Sequence, residues 1–484
     1  MRPVLWFMVV RYMTACDPPS TSKDTGPTDL VSGDTAADTS DSISLCESTE
    51  FSTCVEINVG CTEGFPLDTV GKVCGSRGDT LGVVVGVGSE EDFSGAGVLG
   101  FSSPNMDTDS ILGVDTTDRT LTATGALVSS DACCLGWAMS WDADIDDDGI
   151  RDLLIGYWNE NTNPGLGAIT IFSGPIVGDV RIEDAFSIWS GADNYNSAGQ
   201  SVVAVPGSDE GDGFFAGTGG IYGSYAAYVA DAMTSGNLSE ADLFITHAEG
   251  SNEYFQLGHT VATADLDNDG ISDLLTTDVG GSAGLGVVLI ASSDLRGTVV
   301  VADLAWIDPG MEFLYVNLTD INTGDMNCDG YQDILIPLDS VESEQKLMLG
   351  PLIDGGVLTD AGATIGLYGE PLQTGWSESN ARLVPAPDDP NCGGQVLLAA
   401  SASVYPSSIY AFTGPFSGTV DQTQARVAVG PDRTFWSPPE IEIGADLDED
   451  GNADVYVGAP RDDENGEDAG AVYRFPAGFS TWGD

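Results

Sequence analysis

Four times in this chain an acidic turn runs straight into an apolar segment, and that repetition limits the fold more than any other feature. In DADIDDDGIRDLLIGY, residues 142–157, Asp144, Asp146 and Asp148 occupy the first, third and fifth positions of a loop. Gly149 follows at the sixth position and Asp152 at the ninth, and LLIGY comes next. Carboxylates this close repel one another and need water or a cation. The spacing suits a cation. A glycine permits the tight turn, Ile150 at the seventh position can offer only a backbone carbonyl, and the result is a flexible all-oxygen cage of the kind Ca²⁺ prefers.

The pattern returns in ADLDNDGISDLLTT (Asp265, Asp267, Asp269, Ile271, Asp273), in GDMNCDGYQDILIP (Asp325, Asn327, Asp329, Tyr331, Asp333) and in ADLDEDGNADVYVGAP (Asp446, Asp448, Asp450, Asn452, Asp454). These loops predict about four Ca²⁺ sites. The twelfth positions are Ile155, Thr276, Ile336 and Val457, so no loop has the glutamate of an EF-hand. Short apolar runs closed by glycine or proline read as strands instead. A thrombospondin-like calcium array is also disfavoured, because it would lack the apolar strands.

The loops start at 144, 265, 325 and 446, with gaps of 121, 60 and 121 residues. The gaps imply a period of roughly 60 with hidden copies. Degenerate slots lie near Ser208, near Pro387 and in GDTLGVVVGVGSEEDFSGAGVLGFSSP, residues 78–104. That makes seven slots from about residue 60 to the end. Runs such as GAITIFSGP and GVVLIASSD alternate with Gly, Asp, Ser and Asn clusters. The best helix candidate, SYAAYVADAM near Tyr225, falls where other slots have a strand. Repeats of short strands taken seven times predict an all-β, seven-bladed β-propeller with calcium loops between strands.

These repeats resemble FG-GAP repeats, the units of the propeller in integrin α-subunits and in many bacterial surface proteins. Gly458-Ala459-Pro460 carries the second half of that signature; Leu257-Gly258 and Leu135-Gly136 approximate the first half. Thr277-Asp278 and Pro337-Leu338 depart from Gly-Ala, and Asn317 and Pro438 stand where a first-half glycine belongs. The resemblance covers roughly residues 60–484. It implies calcium loops on one face of the ring and partners bound elsewhere, with protein or glycan as the ligand class.

The formal net charge is −61. Four Ca²⁺ would bring it only to −53, so most of the acidity is a solvated surface that favours solubility. Fifteen Lys and Arg supply no basic track, which argues against nucleic acid. No run of 18 apolar residues is present to span a membrane. Arg2, the apolar Val4–Val10 and Met13-Thr14-Ala15-Cys16 are similar to a bacterial lipoprotein signal, with simple secretion as the alternative. The reading is therefore an export signal over 1–16 and a disordered Asp/Thr/Ser/Pro-rich tether over 17–45. The propeller follows over 46–484 with a Cys-rich opening segment, and contact with a membrane comes only through a lipid anchor at Cys16. The chain is expected to be extracytoplasmic, lipid-anchored at the envelope or otherwise secreted. Cys46, Cys54, Cys61 and Cys74 cluster ahead of the first clear blade, where an exported chain permits disulfides. Cys133 and Cys134 are neighbours that pair elsewhere, and Cys328 and Cys392 lie one repeat apart.

Catalytic signals are absent. The chain has two histidines. His259 occupies a slot that holds Trp137 and Trp376 in other repeats, which favours packing, and His247 sits in no recognisable motif. There is no Gly-x-Ser-x-Gly elbow, phosphate loop or HExxH. Trp158, Trp189 and Trp436 are candidate sugar platforms. The sequence therefore reads as a non-enzymatic, calcium-binding propeller that mediates protein or glycan binding and adhesion at the cell surface. The alternative is a polysaccharide-acting hydrolase or lyase on the same scaffold.

Overall fold

A computed structural model describes residues 54–57, 71–74, 83–87, 98–102, 110–115, 122–129, 135–157, 166–174, 180–192, 198–208, 211–218, 224–248, 255–280, 285–308, 321–327, 329–338, 344–357, 360–366, 379–386, 389–402, 405–425, 427–431, 440–443, 454–459 and 471–475. The protein is an all-β propeller. Its strands fall into seven sheets, six with five strands and one with four. We number the sheets I to VII by their first strands: Val83–Val87, Leu135–Ala143, Ser201–Ser208, Phe255–Ala264, Asn322–Gly324, Ser379–Ala386 and Glu440–Ile443. First strands of successive sheets adjoin one another, I to II onward, and that of VII adjoins that of I. The expectation of seven blades is thereby corrected to six blades of one plan, with a seventh, shorter sheet. Six sheets share one five-stranded plan, and sheet VII is shorter and is completed by the start of the chain.

Sheet II shows the plan. Leu135–Ala143, Asp152–Tyr157, Ala168–Phe172 and Ser187–Ser190 run antiparallel in chain order. The fifth strand, Gly236–Asn237, pairs parallel to Ser187–Ser190 and is borrowed from the connection between the third and fourth strands of sheet III. The same loan recurs from II to I (Val180–Arg181), IV to III (Gly297–Val300), V to IV (Gly356–Val357) and VI to V (Gly418–Val420). Short 3-10 turns follow Val180–Arg181, Gly236–Asn237, Gly297–Val300 and Gly418–Val420. In sheet VII the N-terminal strand Gly71–Cys74 pairs antiparallel with Ala471–Phe475, and Cys54–Ile57 is lent to sheet VI beside Val427–Pro431. A four-strand slot alone does not foretell these loans, because strands of two to four residues leave too little hydrophobic alternation to read.

The core lies between sheets. One cluster joins Leu154 and Ile171 of sheet II to Phe214 and Tyr225 of sheet III. Others join III to IV through Phe215 and Leu274, IV to V through Leu275 and Ile334, and V to VI through Leu335 and Phe412. A single sheet buries one face poorly by itself, and stacking completes it. The segment SYAAYVADAM becomes the fully buried strand Tyr225–Val229 rather than a helix. A strand buried on both faces loses its polar alternation and reads as a continuous apolar run.

The first-half glycine of the repeat has a definite reason. Gly258 has φ +81° and Gly199, its counterpart in sheet III, +84°. A Cβ on Gly258 would lie 2.6 Å from the Tyr225 carbonyl oxygen and 2.7 Å from the Gly217 Cα. Only glycine tolerates both the backbone angle and the crowding.

Candidate metal centre and the opposite face

The acidic loops join the first and second strands of sheets II, IV and V. Their hydrogen bonds match closely. The first-position carboxylate accepts from the fifth and sixth amides: Asp148 N to Asp144 Oδ1 at 3.0 Å and Gly149 N to Asp144 Oδ2 at 2.8 Å. The corresponding distances are 3.0 and 2.8 Å for Asp265, and 3.2 and 2.9 Å for Asp325. The third-position oxygen also accepts the fifth amide, at 3.2 Å for Asp146 and Asp267 and 3.1 Å for Asn327. The fifth-position carboxylate accepts the seventh amide, at 2.8 Å from Ile150 and Ile271 and 2.9 Å from Tyr331. Gly149, Gly270 and Gly330 have φ of +89°, +87° and +89°. A Cβ at any of the three would stand in open space, so backbone angle alone selects glycine. Asp147 and Asn268 precede two of them at φ +61° and +59°, a region where Asp and Asn are enriched.

The ninth-position aspartate differs from the rest. Asp152, Asp273 and Asp333 are buried at the start of the second strand, whereas the first, third and fifth positions are mostly half-exposed or exposed. Oδ2 of each caps the loop's own second amide: Ile145 at 2.7 Å, Leu266 at 3.0 Å and Met326 at 2.8 Å. Oδ1 of Asp152 and Asp333 accepts from Gly174 (3.0 Å) and Gly350 (2.8 Å), which ties the loop to the turn after the third strand. Burial pushes the Asp152 carboxyl up to about 7, with the charge of Asp146 adding to the rise. Burial also pushes Asp273 and Asp333 up to about 6, and their loop neighbours push the same way.

This arrangement fits a divalent cation. Carboxylate oxygens of Asp144, Asp146 and Asp152 lie within 4.8 Å of one another, and so do those of Asp265, Asp267 and Asp269. A hard cation would offset the burial and the neighbouring charges that together raise the ninth carboxyl, and oxygen donors of this number suit Ca²⁺. Of the fourth loop, Asp446, Asp448, Asp450 and Asn452 lie outside the described residues; Asp454 is described.

Sequence reasoning missed three contacts. Asp212, in the degenerate slot of sheet III, accepts the Asp144 amide at 2.8 Å and links that slot to the loop of sheet II. Arg474 pairs with Asp454, both fully buried, at 2.9 Å from Nη2 to Oδ2. His247 Nε2 lies 3.2 Å from Asp278 Oδ1. Asp278 stands where the repeat signature has alanine, so that departure was a signal in the sequence. Second and fourth strands run away from the loop end, which puts His247, after strand four of sheet III, and Asp278, late in strand two of sheet IV, at the opposite end of the ring.

The candidate sugar platforms fare unevenly. Trp189 is buried and meets Phe214 edge-on at 6.0 Å, so it belongs to the core. The side chains of Trp137, Trp158, Trp376 and Trp436 lie outside the described residues, as do the cysteine side chains. Trp306, which the sequence does not single out, is 52 % exposed on the fourth strand of sheet IV. His259 is half-buried in strand Phe255–Ala264.

Among the described residues no helix is long and apolar enough to cross a membrane. No curated protein matches the chain. Among solved structures it is similar to prolyl oligopeptidase B from Galerina marginata (9 % identity, TM-score 0.42), covering 82 % of this chain and 50 % of that one. The chain thus spans half the length of that relative. It is also similar to an arginine-to-alanine mutant of AofleA from Arthrobotrys oligospora (9 %, TM-score 0.34, 75 % and 93 % covered). A rhamnogalacturonan lyase from Bacillus licheniformis matches at 10 % identity and TM-score 0.33, with 80 % and 74 % covered. The FG-GAP repeat family model matches residues 442–473, from the first to the third strand of sheet VII. The chain therefore carries an FG-GAP repeat, at residues 442–473, within an all-β propeller.

Proposed function

We propose that this protein is an extracytoplasmic, calcium-loaded propeller that binds a protein or glycan partner and carries out no chemistry of its own. One observation supports it most: three loops of different sequence hold their carboxylates in the same hydrogen-bonded geometry. Ca²⁺ would supply charge neutralisation there. Asp144, Asp146, Asp148 and Asp152 would hold it in sheet II, with the corresponding residues in IV and V. The chain's own amides keep these side chains converged, so binding needs little reorganisation and acts as folding energy. On this reading sheet VII serves as the seventh blade, residues 1–16 direct export, 17–45 form a tether, and Cys16 anchors it. The partner docks at the end opposite the loops, where no buried carboxylate turn must be kept intact.

Native mass spectrometry of the full chain purified in calcium tests the metal. Stoichiometric ions are expected, and a folded protein without any would overturn the reading. A glycan and protein array, probed with and without calcium, tests the binding role. A second reading, a polysaccharide-acting enzyme, draws on the His247–Asp278 pair, an imidazole with a carboxylate to orient it. Turnover on a glycan panel that disappears in His247→Ala would favour that reading over the first.

A further inference from the structure

In three sheets the residue across the ladder from the ninth-position aspartate's same-face neighbour is aliphatic. Two residues beyond that aspartate, Leu154 pairs with Ile171, Leu275 with Ile290 and Leu335 with Leu347. All three partners are buried. In sheet VII the same register pairs Tyr456 with Arg474. Side chains two residues apart share a face, so the Arg474 side chain lies on the face of Asp454 and reaches it diagonally. Its Nε donates to Asp454 Oδ2 at 3.0 Å. Neither side chain is exposed. The oxygen that caps the loop amide in the other three sheets is here engaged by a guanidinium.

We infer that Arg474 is the resident counter-cation of the fourth loop, and that calcium fills the other three loops while leaving this one empty. The inference rests on the calcium reading above. A guanidinium is always protonated. A divalent ion sharing the buried Asp454 carboxylate would meet that fixed positive charge at close range, and it would lose a ligand it needs to approach six oxygens. The ion pair neutralises Asp454 without metal. It also sits on the strand Ala471–Phe475 that receives the N-terminal strand Gly71–Cys74. The closing sheet thus keeps its charge balance when calcium is scarce.

Native mass spectrometry of the full chain, across a series of free calcium concentrations, decides the matter. The natural chain is expected to bind three ions and Arg474→Leu, which restores the aliphatic pattern, four. Four ions on the natural chain would overturn the inference and leave the calcium reading intact; none would overturn both. Should Arg474→Leu fail to fold, loop variants in the natural background still discriminate. Asp148→Ala should lose one ion and Asp450→Ala none. Loss of an ion in Asp450→Ala would overturn the inference.

Discussion

Sheets III and IV are neighbours with the same strand plan, yet they turn the first corner differently. Sheet IV passes through an acidic loop, 265–273, whose buried Asp273 holds the turn. Sheet III goes directly from Ser201–Ser208 to Gly211–Gly217 and has no such loop. Its compensation is apolar: Phe214, Phe215, Tyr225 and Tyr228 are all fully buried, against Leu274, Leu275, Leu289 and Ile290 in sheet IV. Aromatic side chains bury more area than aliphatic ones and contribute more per residue. The comparison teaches that the repeat frame does not depend on the loop. A sheet can be fixed by packing alone or by a turn built on carboxylates, and under the proposed function only the second kind responds to calcium.

That difference can be tested from its largest effect downward. Chelation should strip the loops of II, IV and V. A site held at a hundredfold excess over Kd stabilises by about 2.7 kcal/mol, so losing three should lower Tm by on the order of 10 °C. Hydrogen exchange should then speed up over 144–152, 265–273 and 325–333 and stay unchanged over 201–217; equal loosening of sheet III would break the comparison. Asp269→Ala should reproduce one third of this effect, a Tm loss of roughly 3 °C in calcium and almost none in chelator.

Protons should stand in for calcium. The folded carboxyls of Asp152, Asp273 and Asp333 titrate at about 7, about 6 and about 6, above their ordinary 3.8. The folded state therefore binds protons that the unfolded state releases. The stability of the calcium-free protein should fall as pH rises from 4 through 7. A melting series with and without calcium checks this, and saturating calcium should flatten the slope. Replacing the three aspartates by asparagine should also flatten it; an unchanged slope would assign the effect to the general surface charge. The smallest effect concerns the link between the two kinds of sheet. Asp212→Ala removes one hydrogen bond to the Asp144 amide and should cost about 1 kcal/mol, with a weaker calcium affinity at the loop of sheet II alone.

Much of this molecule is legible in its sequence. The loops announce themselves because converged carboxylates, a turn and a strand start each demand particular residues at fixed spacing, as at Asp144, Gly149 and Asp152. Periodicity carries the fold. What escapes depends on contacts between repeats. The borrowed strand Gly236–Asn237 is too short to show a pattern, and Asp212 acts on a different sheet from its own. Trp189 reads as a free aromatic because a lone tryptophan carries no sign of the Phe214 it meets. Arg474 is visible, in principle, as a cation at an aliphatic position of GAVYRF. Recognising it requires the register of sheet VII, which only the ladder supplies.

The lending of strands has a mechanical consequence. Any pull on the residues before Cys54 loads two different sheets in series, first the outer edge of sheet VI through Cys54–Ile57 and then sheet VII through Gly71–Cys74. Four register pairs connect Cys54–Ile57 to Val427–Pro431 side by side in parallel, so force along that strand shears them together instead of opening them one after another. Only after that edge yields does tension reach the strand that holds the ring shut. The molecule has, in effect, a sacrificial link upstream of its clasp.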